Sequence, residues 1–522
     1  MTDSPVIDTQ SGPVRGTTQG VVQAFKGIPY GAPTSGGRRF LPPEPASAWR
    51  EPLDALAFGP DAPQDRPEGS GNNAATQNNM DLPPSEDCLR LNVYTPDPAG
   101  RRPVMFWLHG GGFVSGSGSG AMYDGTRLAE RGDVVVVSIN HRLGALGFLH
   151  LLDLPDPHAA DAVNVGMLDI LLALRWVQDN VSAFGGDPNN VTIFGESGGG
   201  RKVTSLLAMP DAQSLFHKGI IQSGPAVFMN EPDAVKDLAR RFFRHLGLAP
   251  DQRDLLKALQ AAPVDALLAA QGKVLRELGR NAPGLAQTFA PVVDGRILPH
   301  HPFDPEAPAI STDKPVIVGY NHTEITLFMG RDPDLLELDD EGLRRRIAKI
   351  AGDDAERLIG LYRDAYPLTY PEPSNADLLA LIMTGNSRYP IDSLRLAERK
   401  AAQQAAPVWL YTLTYRTPAA RGSLRTPHAL EIPFVFDNID GSKRFVGSGP
   451  DADKLAECMR SAWAAFAHSG KPQSEAVPDW PAYDQSRRAT MLFDAEPRVV
   501  DDFGAPERAA FGPVFYPREH QR

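Results

Sequence analysis

The run Val191-Thr-Ile-Phe-Gly195-Glu196-Ser197-Gly198-Gly199-Gly200 holds the residues best suited to chemistry. A β-branched apolar strand feeds Gly-x-Ser-x-Gly, the sequence form of a tight strand-to-helix turn that pushes a serine hydroxyl into a cleft. Glycines at 195 and 199 let neighbouring segments approach where larger side chains would collide. The helix that opens after the serine has free N–H groups, which favour negative charge developing beside it. The chemistry implied is nucleophilic attack by Ser197 on a carbonyl, with formation of an acyl-enzyme. The bland alternative is a flexible glycine loop after a buried strand, so the serine's partners decide between the two.

A serine hydroxyl is a weak nucleophile without a base, and the base needs an orienting acid. With this kind of turn the chain order is serine, acid, histidine. His468 falls at the end of a helical pattern, where a cation simply suits the dipole. His520 lies in a polar tail, and His300, His301 and His322 leave little chain upstream for an acid-bearing strand. His428, in Arg425-Thr-Pro-His428-Ala, follows the strand-like run Val408–Tyr415 and is the candidate base; an idle surface-loop histidine is the alternative. Pro315-Val-Ile-Val-Gly319 reads as the intervening strand, and Glu324 just beyond it is the candidate acid. Active-site groups gather at the carboxyl ends of strands in open α/β sheets.

The oxyanion of the intermediate needs donors. His109-Gly110-Gly111-Gly112-Phe113 follows the strand-like run Val104–Leu108 and fits a loop that offers backbone N–H groups. Gly111 and Gly112 are candidate donors, with Gly198 as the residue after the nucleophile. A phosphate-binding loop is the rival reading of this glycine-dense stretch, but the Gly-Lys-Ser/Thr ending is missing. There is no His-Glu-x-x-His and no Cys-x-x-Cys, so no metal is expected, and an acyl-enzyme route on Ser197 needs no cofactor.

These residues require a sheet to position them. Leu89–Thr95, Val104–Leu108 and Val134–Ile139 read as strands, two of them continuous apolar runs suited to coverage on both faces. Leu168–Asn180 has helical spacing and leads through Gly185-Gly186-Asp-Pro into the serine-bearing strand. Alternating strands and helices imply a mostly parallel α/β sheet with helices on both faces. The segment to about residue 62 reads as an antiparallel ribbon, and 63–85 as a polar surface loop. Residues 232–287 show helical spacing without strand signal, and Asp453–His468 reads as an amphipathic helix ended by Gly470. No linker divides the chain. One domain over 1–522 is expected, with helical cap insertions near 225–290 and 325–400.

The formal net charge of −12 argues against a nucleic-acid partner, and no apolar run is long enough for a membrane span. The N-terminus lacks a basic region followed by an apolar one, so no signal peptide is expected. Two distant cysteines, Cys88 and Cys458, suit a reducing cytoplasm rather than a disulfide scaffold.

Longer motifs join these pieces. Phe25-Lys-Gly-Ile-Pro-Tyr30, Arg39-Phe-Leu-Pro-Pro43, Glu86-Asp-Cys-Leu-Arg-Leu-Asn92, Asn140-His-Arg-Leu-Gly144 and Phe184-Gly-Gly-Asp-Pro188 precede the serine. Gly319-Tyr-Asn-His-Thr-Glu324 and His428-Ala-Leu-Glu-Ile-Pro-Phe434 follow it. In this order they resemble the type B carboxylesterases of the cholinesterase-like α/β-hydrolase family over nearly the whole chain. The resemblance implies an α/β-hydrolase fold and hydrolysis of a small-molecule carboxylic ester, by a monomer or homodimer without cofactor. It implies Ser197 as nucleophile, His428 as base and Glu324 as acid. Gly111, Gly112 and Gly198 would be the oxyanion donors, and Ser223 a serine that hydrogen-bonds near the acid. Carbamate or activated-amide hydrolysis by the same triad is the alternative within enzymes. A catalytically dead binding or adhesion module is the alternative outside them, and such modules typically lose the serine or histidine.

Three departures from the family pattern stand out. Gly198 replaces a common alanine, which suggests a softer and slightly roomier turn. Ala62 replaces the upstream partner of Cys88, so Cys88 should be an unpaired, buried thiol. Arg201-Lys202 puts two cations in the first helical turn, where the dipole disfavours them. They are either charged helix surface or a contact for an anionic part of the substrate.

Overall fold

The computed structural model describes residues 4–65, 83–151, 159, 161–278, 288–329, 338–366 and 368–515. Most of the 63–85 loop and His520 therefore lie outside the described residues. The strands are β1 (Val6–Thr9), β2 (Gly12–Arg15), β3 (Thr17–Gln19), β4 (Val22–Pro29), β5 (Leu53–Asp54), β6 (Arg90–Thr95) and β7 (Arg102–Leu108). They continue as β8 (Val135–Ile139), β9 (Gly186–Glu196), β10 (Lys218–Gln222), β11 (Val316–Asn321), β12 (Val408–Leu413), β13 (Ala489–Phe493) and β14 (Arg498–Asp501). β1, β2 and β5 form a small sheet, with β1 and β2 antiparallel as the N-terminal turn pattern implies.

The large sheet has eleven strands in the order β14-β13-β12-β11-β10-β9-β7-β8-β6-β4-β3. From β13 to β8 every pair is parallel. Both outer parts are antiparallel. The strand alternation sorts side chains onto two covered faces. Val104, Phe106, Leu108, Val135, Val137 and Ile193 join one core, with Leu171 and Leu174 of the helix Val165–Asn180. Met105, Trp107, Val136 and Phe194 join the other, with Met459 and Trp463 of the helix Pro450–Ser469. That helix ends where expected, at Gly470 with φ 76°. Packing on both faces explains why these strands are nearly continuous apolar runs. The architecture is an α/β-hydrolase fold.

The sequence pattern misses β10, β13 and β14. β10 offers only two large apolar residues between Lys218 and Gln222, yet all five of its residues are buried. The helices Pro232–His245, Leu255–Ala261 and Val264–Leu278 lie between β10 and β11. Four more, Asp340–Ala351, Ala355–Ala365, Asn375–Gly385 and Arg388–Ala402, lie between β11 and β12. Among the described residues no helix is long and apolar enough to cross a membrane.

The motif residues of the N-terminal third carry the fold. Arg39 makes a two-pronged pair with Glu86, both contacts 2.7 Å. Arg142 is buried and donates from Nε and its terminal nitrogen to Asp169, at 2.9 and 2.6 Å. Cys88 is a buried free thiol, pushed up by burial.

Candidate active site

β9 is the middle strand of the large sheet, and Ser197 follows it directly. The serine has φ 54° and ψ −117°, a conformation that non-glycine residues adopt only when their surroundings enforce it. The enforcement is visible. Ser197 N–H donates to the Gln222 carbonyl at the end of β10, at 2.8 Å. A methyl group at Gly195 would sit 2.6 Å from the Leu108 carbonyl, and one at Gly199 would collide with the same oxygen. The helix Gly198–Leu206 then begins immediately.

Gly111 and Gly112 follow β7 with φ 85° and 64°, and the Gly111 carbonyl accepts from Ser115 N–H and Oγ, each at 3.2 Å. Their left-handed backbone frees the loop to turn its peptide groups toward the elbow. Gly198 does not leave a roomier turn. The Gly112 carbonyl occupies the place that a methyl group at 198 would take. Lys202 anchors this arrangement, since Nζ donates to the His109 carbonyl at 2.8 Å and the Gly112 carbonyl at 3.1 Å. Burial pulls its ammonium down to about 7, with Arg201 adding to the effect. Lys202 is therefore not helix surface; it ties the glycine loop to the elbow helix.

β11 delivers Glu324 and β12 delivers His428, and the two side chains meet. His428 Nδ1 lies 2.6 Å from Glu324 Oε2, and both residues are buried. Glu324 Oε1 also accepts from Asn321 N–H at 2.7 Å, and His428 N–H donates to the Glu324 carbonyl at 3.2 Å. Carboxylate and ring are thus held in register by backbone as well as side chain. Ser197, Gly111 and Gly112 keep solvent exposure, while Glu324, His428 and Ser223 do not.

Two carboxylates escaped the sequence reading. Glu196, the variable residue before Ser197, places Oε1 3.0 Å from His428 Nε2. Ser197 Oγ makes no hydrogen bond to that nitrogen in this conformation; catalytic hydrogen bonds are commonly long before substrate is bound. Burial pushes Glu196 up to about 8. Burial would depress His428, but Glu196 and Glu324 overcome it and raise the ring to about 9. His428 can accept a proton only in the state where its ring is neutral. Glu431 is the second carboxylate, raised to about 7 by burial and by Glu324. Ser223 Oγ donates to Glu431 Oε1 at 3.3 Å, and Asn321 Nδ2 donates to Glu431 Oε2 at 2.6 Å. Ser223 therefore reaches Glu324 through Glu431 and Asn321, not directly. The position of Glu431, three residues after His428 in the same motif, was the available signal.

Two ring side chains of these motifs serve packing instead. Phe113 is core, packed on Phe148 at 5.2 Å. His322 is buried among Tyr366, Tyr370 and Phe503, and burial lowers it to about 3. Phe328 and Tyr389, by contrast, place their rings 5.2 and 4.8 Å from the His428 ring.

Residues 3–511 match the model of the carboxylesterase family. The chain is 37% identical to the para-nitrobenzyl esterase of Bacillus subtilis, over 97% of this chain and 98% of that protein. It is 33% identical to the phenmedipham hydrolase of Pseudarthrobacter oxydans, over 98% and 99%. The crystal structure of a carboxylesterase from Geobacillus stearothermophilus superposes with a TM-score of 0.81 at 38% identity, covering 97% of this chain and 99% of that one. The chain belongs to the carboxylesterase family, and it is a carboxylic ester hydrolase.

Proposed function

We propose that hydrolysis proceeds through an acyl-enzyme on Ser197. His428, in its neutral form, takes the hydroxyl proton as Ser197 Oγ attacks the ester carbonyl. The Gly111, Gly112 and Gly198 N–H groups hold the resulting oxyanion. His428 returns the proton to the leaving alcohol, and water repeats the sequence on the acyl-enzyme. Glu324 keeps Nδ1 protonated and stabilises the imidazolium while it lasts. The observation that carries this reading is the 2.6 Å contact between His428 Nδ1 and Glu324 Oε2. It sits beside a strained serine flanked by a loop of positive-φ glycines.

We further propose that the two helical insertions, near 225–290 and 325–400, wall the cleft of one domain spanning the chain. Phe328 and Tyr389, beside the His428 ring, support this for the second insertion. The buried free thiols of Cys88 and Cys458 favour a reducing compartment such as the cytoplasm.

A para-nitrophenyl ester series on the wild type and Ser197→Ala tests the mechanism. Loss of turnover in the variant is expected, and unchanged turnover overturns the assignment. Matched ester, carbamate and anilide substrates then separate ester hydrolysis from its alternatives.

A further inference from the structure

Arg201 stands one helical turn beyond Ser197, its N–H donating to the Ser197 carbonyl at 3.1 Å. Its side chain is unusual. Nε is buried without a hydrogen-bond partner, and no carboxylate among the described residues pairs with the guanidinium. The residue as a whole is half-buried, so the cation keeps part of its surface open to the cleft side while Nε is shut off from water; a partly desolvated cation without a counter-charge is costly, and the positive end of the helix adds to that cost. Burial accordingly lowers Arg201 from its ordinary value.

The charged and titratable groups that act on it are Tyr389, Arg388, Asp392 and Glu196, with Lys202 beside it on the same helix. Both carboxylates have other work. Asp392 Oδ2 accepts from Arg388 Nε at 2.8 Å, and Glu196 Oε1 is turned to His428 Nε2 at 3.0 Å. More positive charge stands close by. Arg388 and Arg395 place their guanidinium carbons 5.8 and 5.7 Å from the Phe228 ring. Tyr389, whose ring lies 4.8 Å from His428, connects this cationic wall to the reacting centre.

We propose that Arg201, backed by Arg388 and Arg395, forms a subsite for a carboxylate carried by the ester substrate. This rests on the reading of Ser197 as nucleophile. The favoured substrate class is then half-esters of dicarboxylic acids and esters of comparable charge, with the anion supplying the partner that Arg201 lacks. Phe228 offers an apolar surface for the chain that links anion to ester.

The test compares the para-nitrophenyl half-ester of adipic acid with a neutral isostere in which an isopropyl group replaces the carboxylate. The ratio of their kcat/KM values is measured in the wild type, Arg201→Met and Arg201→Lys. The wild type should prefer the half-ester. Arg201→Met should lower the ratio by about ten- to a hundredfold, the worth of one charge-assisted contact, and Arg201→Lys should restore part of it. Because both rates come from one preparation, losses in folding cancel. Should Arg201→Met yield no folded protein, competitive inhibition of the wild type by adipate replaces it, and absence of inhibition counts against the subsite. An unchanged ratio in Arg201→Met overturns the proposal, as does a wild type that cleaves only the neutral ester. Failure to cleave either ester strikes instead at the hydrolytic reading, and the proposal falls with it.

Discussion

Glu196 and Glu324 hold the His428 ring between them, with Glu196 Oε1 3.0 Å from Nε2 and Glu324 Oε2 2.6 Å from Nδ1. In the proposed reaction the proton leaving Ser197 has to reach the Nε2 side, where Glu196 already stands. An anion there favours the imidazolium and so raises the ring.

Glu196→Gln removes that anion and leaves the burial. His428 should then titrate lower, and because the proposed base is the neutral ring, the acid limb of kcat/KM should move to lower pH. A close opposite charge shifts a pKa by about one to three units, which sets the scale of the displacement. Rate measurements across pH check it; an unmoved limb means that Glu196 does not govern the ring.

Lys202→Met deletes the two donors that tie the His109 and Gly112 carbonyls to the elbow helix. A misplacement of about 1 Å in a catalytic donor can cost about a hundredfold, so a kcat loss approaching that size is expected. Stability should not fall with it, because replacing a buried charge with an apolar chain of similar volume is often neutral or favourable. Thermal unfolding alongside ester kinetics separates the two effects, and full activity in the variant removes the anchoring role.

Gly198→Ala inserts a methyl group into space that the Gly112 carbonyl occupies. The glycine loop must retreat, taking the Gly112 N–H with it. Removing one oxyanion donor typically costs about 2.7–4 kcal/mol of transition-state stabilisation, an upper bound for this displacement. The loss should fall on kcat more than on KM, and steady-state kinetics on a neutral ester decides.

Asp169→Asn probes the fold without touching the site. It strands the buried guanidinium of Arg142, and breaking a buried pair from one side costs about 3–5 kcal/mol. Denaturant midpoints should fall accordingly; a midpoint equal to the wild type's would show that Arg142 finds another partner.

What could be read in the chain, and what could not, follows from where the information resides. β7, β8, β9 and β11 were legible because burial on both faces demands unbroken apolar sequence. β10 was not, because Lys218 and Gln222 are buried by means that composition does not display: Lys218 reaches the Asn190 side chain, and Gln222 Oε1 accepts from Trp463 Nε1. β14 is an edge strand with half-exposed residues, which leaves little pattern to see. Ser197, Glu324 and His428 follow from type, order and position at strand ends. Glu196 and Glu431 differ, since a glutamate becomes chemically distinctive only when the fold strips it of water. The opposite fates of Arg201 and Lys202 depend on a hundred-degree step around one helix, which adjacent letters cannot convey.

The placement of the site at the middle of the sheet also bears on how the protein comes into being. Ser197, Glu324 and His428 come from β9, β11 and β12, strands separated by long helical insertions, and β10 must seat between the first two before the others can align. Contacts between such distant parts of a chain form slowly and late. Catalytic power should thus be among the last properties regained on refolding, trailing the helical signal, and turnover becomes a gauge of completed assembly.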